Sequence, residues 1–440
     1  MRAAALFLAT LLAARLAAAQ TPAEEAPLLV TGATLHTVSG PVLEGGRMLV
    51  ERGRITAVLA ADAPLPATRG PAPRVIDLAG KHVYPGFIAA NTALGLTEVA
   101  SVAATVDHAE AGPVNPHARA VVAINADSEL LPVARANGVL SALVLPGTAP
   151  GGSIAGRAAL IQLAGRTWEE LALEPEAALQ VVLPTMRLGR ERLAALPEPL
   201  QQEYTRFAAE RLRRIEEAFG AAQDYLRARA AAPELPADQR WESMRPYLAG
   251  QRPVFVLADE LPQIRHALGL AERFGLKLVI VGGADAWRIA DVLRERRVPV
   301  VIGGVLELPT RRDEDIDARY ALAARLHAAG VEFCIARNGD VFGAANERNL
   351  PYEAASAAAH GLPRDEALRA ITLYPARILG VADRLGALAP GLLASFIVTD
   401  GDPLEAGTRV ERVFIAGREL DTGNRQTRLT EKYARPPAPR

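Results

Sequence analysis

Short, continuous apolar runs alternate with stretches whose apolar positions recur at helical spacing through most of this chain. The runs are Val83–Ala90, Gly138–Pro146, Ala158–Leu163, Leu179–Pro184, Pro253–Ala258, Leu278–Val281, Val298–Ile302 and Val331–Ala336. Strands buried on both faces in a parallel sheet read as unbroken hydrophobic runs, whereas half-exposed strands alternate. Strands alternating with amphipathic helices predict an α/β fold with a parallel sheet, and eight of them are what a TIM (β/α)8 barrel requires. The two ends of the chain follow another pattern. Leu28–Val30, Met48–Glu51 and Ile55–Ala60 read as strands, the last two joined as a hairpin through Arg52-Gly53. Leu392–Thr399 and Arg412–Ile415 are also β-rich between glycine-containing turns. They predict a small β-sandwich domain, half from each end.

Three segments stand outside this rhythm. Residues 187–250 are far too long for one crossover; they are rich in Glu, Arg and Ala, with Phe207, Leu212, Ile215, Phe219 and Leu226 at helical spacing. They predict a helical insertion packed on the outside of the barrel. The polar tail 421–440 ends in PPAPR and reads as disordered. Residues 1–19 have a positive start at Arg2, an apolar run from Ala3 to Ala14 and small residues at Ala17-Ala18-Ala19, the pattern of a cleaved secretory signal. Export to the periplasm or outside the cell is therefore expected. The run is too short to span a bilayer, and no later segment is long and apolar enough.

Composition narrows the partners. The net charge of −1 becomes −3 when Arg2 and Arg15 leave with the signal, so nothing points to nucleic acid or an acidic surface. The single cysteine, Cys334, cannot form an intrachain disulfide and reads as a small buried strand residue. Lysine occurs only at 81, 277 and 432.

The phrases GKHVYPGFI (Gly80–Ile88), LYPARILGV (Leu373–Val381) and Gly386–Leu420 resemble the amidohydrolase superfamily, especially its imidazolonepropionase-like members. The resemblance covers about 28–420. It implies a barrel over 85–381 inserted into a β-sandwich built from 20–84 and 382–420. It also implies hydrolysis of non-peptide C–N bonds, as in cyclic amides, with zinc or another divalent metal. The family's ligands follow barrel strands one, four, five, six and eight: two His, often a carboxylated Lys, one His, one His and an Asp. Those positions here hold Asn91 and Ala93, Pro184-Thr185, Leu257, Gly282 and Asn338. Imidazoles and carboxylates bind such ions; these side chains do not make such a set. No cofactor is therefore expected.

What remains at the strand ends is polar. Asp259 and Asp340 are the candidate acid/base pair, with Arg337 and Asn338 able to complete a small-molecule pocket. His108 and His117 lie together in one post-strand loop, near Asp107 and Glu110, and could form a metal site or an acid/base pair. Glu98, Asp127, Glu260 and Asp285 are further carboxylates at strand ends; for Asp259 and Asp285 the competing role is capping the helices that follow. Three functions are compatible with these residues. One is a relative without the metal that binds a small molecule or partner; another is a C–N hydrolase with an unorthodox site. The third is an interaction protein using the 187–250 helices.

Overall fold

The computed structural model describes residues 26–68, 71–186, 196–309, 311 and 313–434. The secretory signal expected over 1–19 lies outside them. Eight strands form the barrel sheet: β1 (Phe87–Thr92), β2 (Val139–Val144), β3 (Ile154–Gln162), β4 (Ala172–Val182), β5 (Val254–Ala258), β6 (Leu278–Gly282), β7 (Val300–Gly303) and β8 (Phe333–Ala336). They pair in sequence order, β1 to β8. The expected TIM barrel is present, with one departure. β3 runs antiparallel to both β2 and β4, while the other ladders are parallel. The reason is connection length. Residues 145–153 before β3 and 163–171 after it are short links, and a parallel crossover needs about a dozen residues or more. The glycine-rich stretch 146–153 is thus a hairpin loop rather than a βα loop.

Alternate side chains fill the barrel interior. Ile88, Ala90, Leu143, Leu160, Phe255, Val279, Val281, Val301, Cys334 and Ala336 form one buried cluster, and Ala376, Ile378 and Val381 join it. The LYPARILGV phrase is therefore the interior plug, carried by the helical turn Leu373–Ile378. Among the described residues no ladder joins β8 to β1. Instead the seam is bridged by Ile88 N–H donating to Ile371 O and Ile335 N–H to Ala370 O, each at 2.9 Å.

The apolar run Lys81–Ala90 is split at Gly86. His82–Pro85 belongs to the small sheet and pairs with Phe396–Thr399 from the far end of the chain, whereas Phe87 opens β1. Leu28–His36 pairs with Arg74–Asp77 through its first half and with His82–Val83 through its second. The change of partner coincides with a register shift at Gly32, whose φ of +76° suits glycine. The result is a sandwich-like core of Leu35, Met48, Ile55, Phe396 and Phe414, with Phe396 stacked on Phe414 at 4.4 Å.

Two expectations change. The tail expected to be disordered forms a helix over Arg425–Ala434, tied to the barrel by Arg428 on Glu129 and Arg348 on Gln426. The insertion is dominated by one helix, α1 (Glu198–Ala231). Its second half packs on the barrel exterior through Ile215, Ala218, Phe219 and Ala222, with Phe219 against Phe274 of α2 (Leu261–Phe274). Its first half leans over the carboxyl ends of the strands: Tyr204 donates to Thr185 O at 2.7 Å and Arg211 reaches Gly152 O and Val182 O. The cause is that α1 begins soon after β4 ends.

A Cβ at Gly86 would sit 2.5 Å from the Leu140 side chain. Gly86→Ala is expected to lower stability by about 1–3 kcal/mol through overpacking, measured by urea unfolding.

Candidate functional site

Hydrolytic barrels carry their chemistry at the carboxyl ends of the strands, and the expected ligand positions on five of the strands can be followed there. Asn91 lies at the end of β1, is 7% exposed, and its Nδ2 donates to Arg337 O at 2.9 Å. It thereby bridges the mouth end of the β8–β1 seam. A Cβ at Gly339 would lie 2.0 Å from Asn91 Oδ1, so Asn91 fills space that glycine leaves. Ala93 is fully buried. Pro184 has its carbonyl taken by Gln263 Nε2 at 2.9 Å. Leu257 packs against the interior cluster. Asn338 donates to Glu307 Oε1 at 2.5 Å.

Gly282 decides what the mouth can hold. A Cβ built there would lie 2.6–3.0 Å from the carboxylate atoms of Asp259. The space a side chain at 282 would enter is taken by Asp259, whose Oδ1 accepts weakly from Ala284 N–H at 3.3 Å. Arg319 Nη1 stands 3.5 Å from the same oxygen, and Arg319 Nη2 donates to Gly303 O at 3.2 Å. The guanidinium thus lies across the ends of β5, β6 and β7, in a loop that sequence patterning did not mark.

Two buried ion pairs hold this loop. Glu353, on α3 (Leu350–Ala359), accepts from Val305 and Leu306 N–H at 2.6 and 2.9 Å and pairs with Arg337. Asp285, 1% exposed, takes Arg311 in a two-point contact at 2.8 and 3.0 Å. Burial alone would raise the Asp285 pKa, but Arg311 and the Leu261 N–H outweigh it and hold the carboxyl below its ordinary range. Asp285 therefore caps α2 and not the helical turn that follows it. Asp259 does not cap α2, whose N-cap is Glu260 in a reciprocal pair with Gln263.

The other candidates separate. Asp340 Oδ1 accepts from Gly343 N–H at 2.6 Å, fixing the turn after β8. Among the described residues no hydrogen bond joins Asp340 to Asp259; Asp340 is engaged in its own turn and Asp259 with Arg319. His108 lies flat on Gly147, where a Cβ would be 2.0 Å from its ring. Burial pushes its pKa down while Asp340 opposes the shift. His117 is exposed, and no contact unites it with His108. Asp127 lines a cavity of about 290 Å³ with Arg135 and Leu163. Leu163 follows the reversed β3, so this cavity lies at the opposite end of the barrel.

Sequence reasoning missed Arg319, Glu307, Glu353 and Glu347. Nothing in a charged stretch such as RDEDIDARY distinguishes its buried arginine. Glu347, 1% exposed, lies beside the Thr92 hydroxyl and Arg337, with Glu353 nearby. Burial dominates and pushes its pKa up to about 8.

A divalent metal is the group the barrel family implies, and the residues do not fit it. Among the described residues no three His, Cys, Asp or Glu side chains converge, and the space over Gly282 is sterically filled. Against this geometry, the amidohydrolase family profile matches residues 277–420. A solved amidohydrolase from Thermotoga maritima MSB8 aligns with a TM-score of 0.77 and 27% identity, over 90% of this chain and 99% of that one. The chain carries an amidohydrolase family domain. Amidohydrolase tasK of Hapsidospora irregularis is 25% identical over 84% of this chain, which spans 39% of that relative's length. A prolidase complexed with N-methylphosphonate-L-proline aligns at a TM-score of 0.53 and 19% identity, covering 90% of this chain and 99% of that one, a likeness of fold. The chain is thus similar to amidohydrolases in sequence over residues 277–420 and in fold over most of its length, while its strand ends carry other residues than the expected ligands.

The raised Glu347 pKa fixes a sign. Its folded value of about 8 lies above the ordinary 4.5, so the neutral form is favoured by folding. That contribution is complete below the unfolded value and is lost as pH rises through the folded one. Thermal stability of Glu347→Gln is expected to fall less steeply than that of wild type across pH 4.5 to 8. A wild-type slope retained in the variant would disprove the assignment.

Proposed function

We propose that this amidohydrolase-superfamily barrel binds a small molecule at its mouth without the family's metal, in an exported protein. The carrying observation is the Asp259 carboxylate in the space over Gly282, which denies a ligand side chain its place. Arg319, Glu307 and Asn338 supply donors and acceptors for orientation, and the charged pairs behind them hold the loop in register. Such a site can bind and position a ligand. Water activated by a metal is not among its means, since the donor set is missing. The secretory pattern of residues 1–19 supports export, and among the described residues no helix is long and apolar enough to cross a membrane.

A second reading, an active C–N hydrolase with an unorthodox site, is favoured by the hydrolase kinship. It would rely on Asp259, the partly exposed carboxylate of the mouth, as general base.

Elemental analysis of the purified mature protein, with cyclic-amide hydrolysis assayed with and without chelator, separates these readings. Substoichiometric metal and chelator-insensitive thermal stability are expected. One equivalent of tightly held metal with chelator-sensitive turnover would overturn the proposal. Chelator-insensitive turnover abolished in Asp259→Asn would favour the second reading.

A further inference from the structure

Arg319 is only 9% exposed, yet its hydrogen-bonding capacity is mostly unspent. Nη2 is bonded to Gly303 O, whereas Nε and Nη1 are buried without a hydrogen-bond partner. A guanidinium taken out of water with open donors is costly unless something answers them. The carboxylate paired with it, Asp259, is a loose partner: 3.5 Å away, accepting one long bond from Ala284, with its side chain 44% exposed. We propose that Arg319 recognises the carboxylate of a small organic acid, which takes the place of the Asp259 carboxylate at the guanidinium while Asp259 turns out to solvent.

The inference rests on the mouth being a small-molecule site and adds the ligand's class. A carboxylate matches the guanidinium fork, which can receive it at two points. It also exchanges one negative charge for another, leaving the buried charge balance unchanged. A phosphate dianion would bring excess negative charge beside Glu307, which is already engaged with Asn338. The body of the ligand is read from the neighbouring loops. The connection that carries Arg319 exposes Leu306, Leu308 and Ile316, and Phe342 is exposed just beyond Asn338. Aryl acids are therefore the probes chosen.

Calorimetric titration of the mature chain with benzoate, phenylacetate, benzamide and inorganic phosphate at fixed ionic strength tests this. The two acids are expected to bind about tenfold or more tightly than benzamide and phosphate, the scale of a charge-assisted hydrogen bond. Arg319→Met should lose that margin, and Arg319→Lys should recover part of it. Asp259→Asn, which removes the internal competitor, should strengthen acid binding by about tenfold. That sign is opposite to what a purely structural pair would give. Should Arg319→Met fail to fold, the Asp259→Asn titration decides alone. Weaker acid binding in Asp259→Asn, or no acid binding to either wild type or Asp259→Asn, overturns the inference. Equal binding of benzamide and benzoate, unaffected at Arg319, overturns it while leaving a small-molecule mouth intact. Stoichiometric metal would instead remove the underlying reading.

Discussion

Steric exclusion between residues 259 and 282 governs the mouth of this barrel. The two positions end adjacent parallel strands, with Ala258 directly opposite Gly282. A side chain at 282 and the inward carboxylate of Asp259 claim the same few ångströms, so the carboxylate would have to move aside for one. With glycine at 282, the carboxylate folds inward and brings Arg319 across the strand ends. The guanidinium there stands 3.5 Å from the carboxylate that occupies the space beside Gly282. In a low-dielectric setting a fixed cation and a carboxylate attract each other strongly, but at 3.5 Å with incomplete hydrogen bonding this pair is far from saturated.

The surrounding charges are better satisfied, and the difference is informative. Glu353 uses its two oxygens on Arg337 and on two backbone N–H groups, and Asp285 grips Arg311 at two points. A buried ion pair contributes little net stability compared with apolar packing, yet removing one partner is expensive. These pairs therefore act as positional locks: they fix where the loop after β7 can lie without adding much to the global fold. Asn91 plays a comparable part at the seam. It spends its side chain joining β1 to the residue after β8.

Much of the architecture was legible because it depends on runs and periods. Eight apolar runs became eight strands, and the hand-over at Pro85-Gly86 separates the small sheet from the barrel. The reversed β3 was hidden because a buried run has no direction; only the shortness of its two connections carried the signal. The helix over Arg425–Ala434 was missed because a polar segment can be helical once arginine and glutamine side chains dock it. The residues at the strand ends were readable one by one, whereas the placement of Arg319, Glu347 and Glu353 was not. Burial of a charged residue depends on which loop folds back over it, and no local pattern encodes that.

The barrel can tolerate such a mouth because its cohesion lies elsewhere. Ile88, Leu143, Leu160, Phe255, Val279 and Val301 fill the interior, and the turn over Leu373–Ile378 closes it against the seam. Burial of this kind contributes about 25 cal/mol per Å² of apolar surface, and none of it passes through the strand ends. A metal held there would bind a scaffold already complete. The residues at the strand ends can therefore vary without removing the fold, provided each satisfies its neighbours. Asn91 meets that condition at the seam, and Leu257 meets it against the interior. Arg319 leaves donors open, and an open buried donor beside a movable carboxylate is the arrangement expected of a group whose partner arrives from solution.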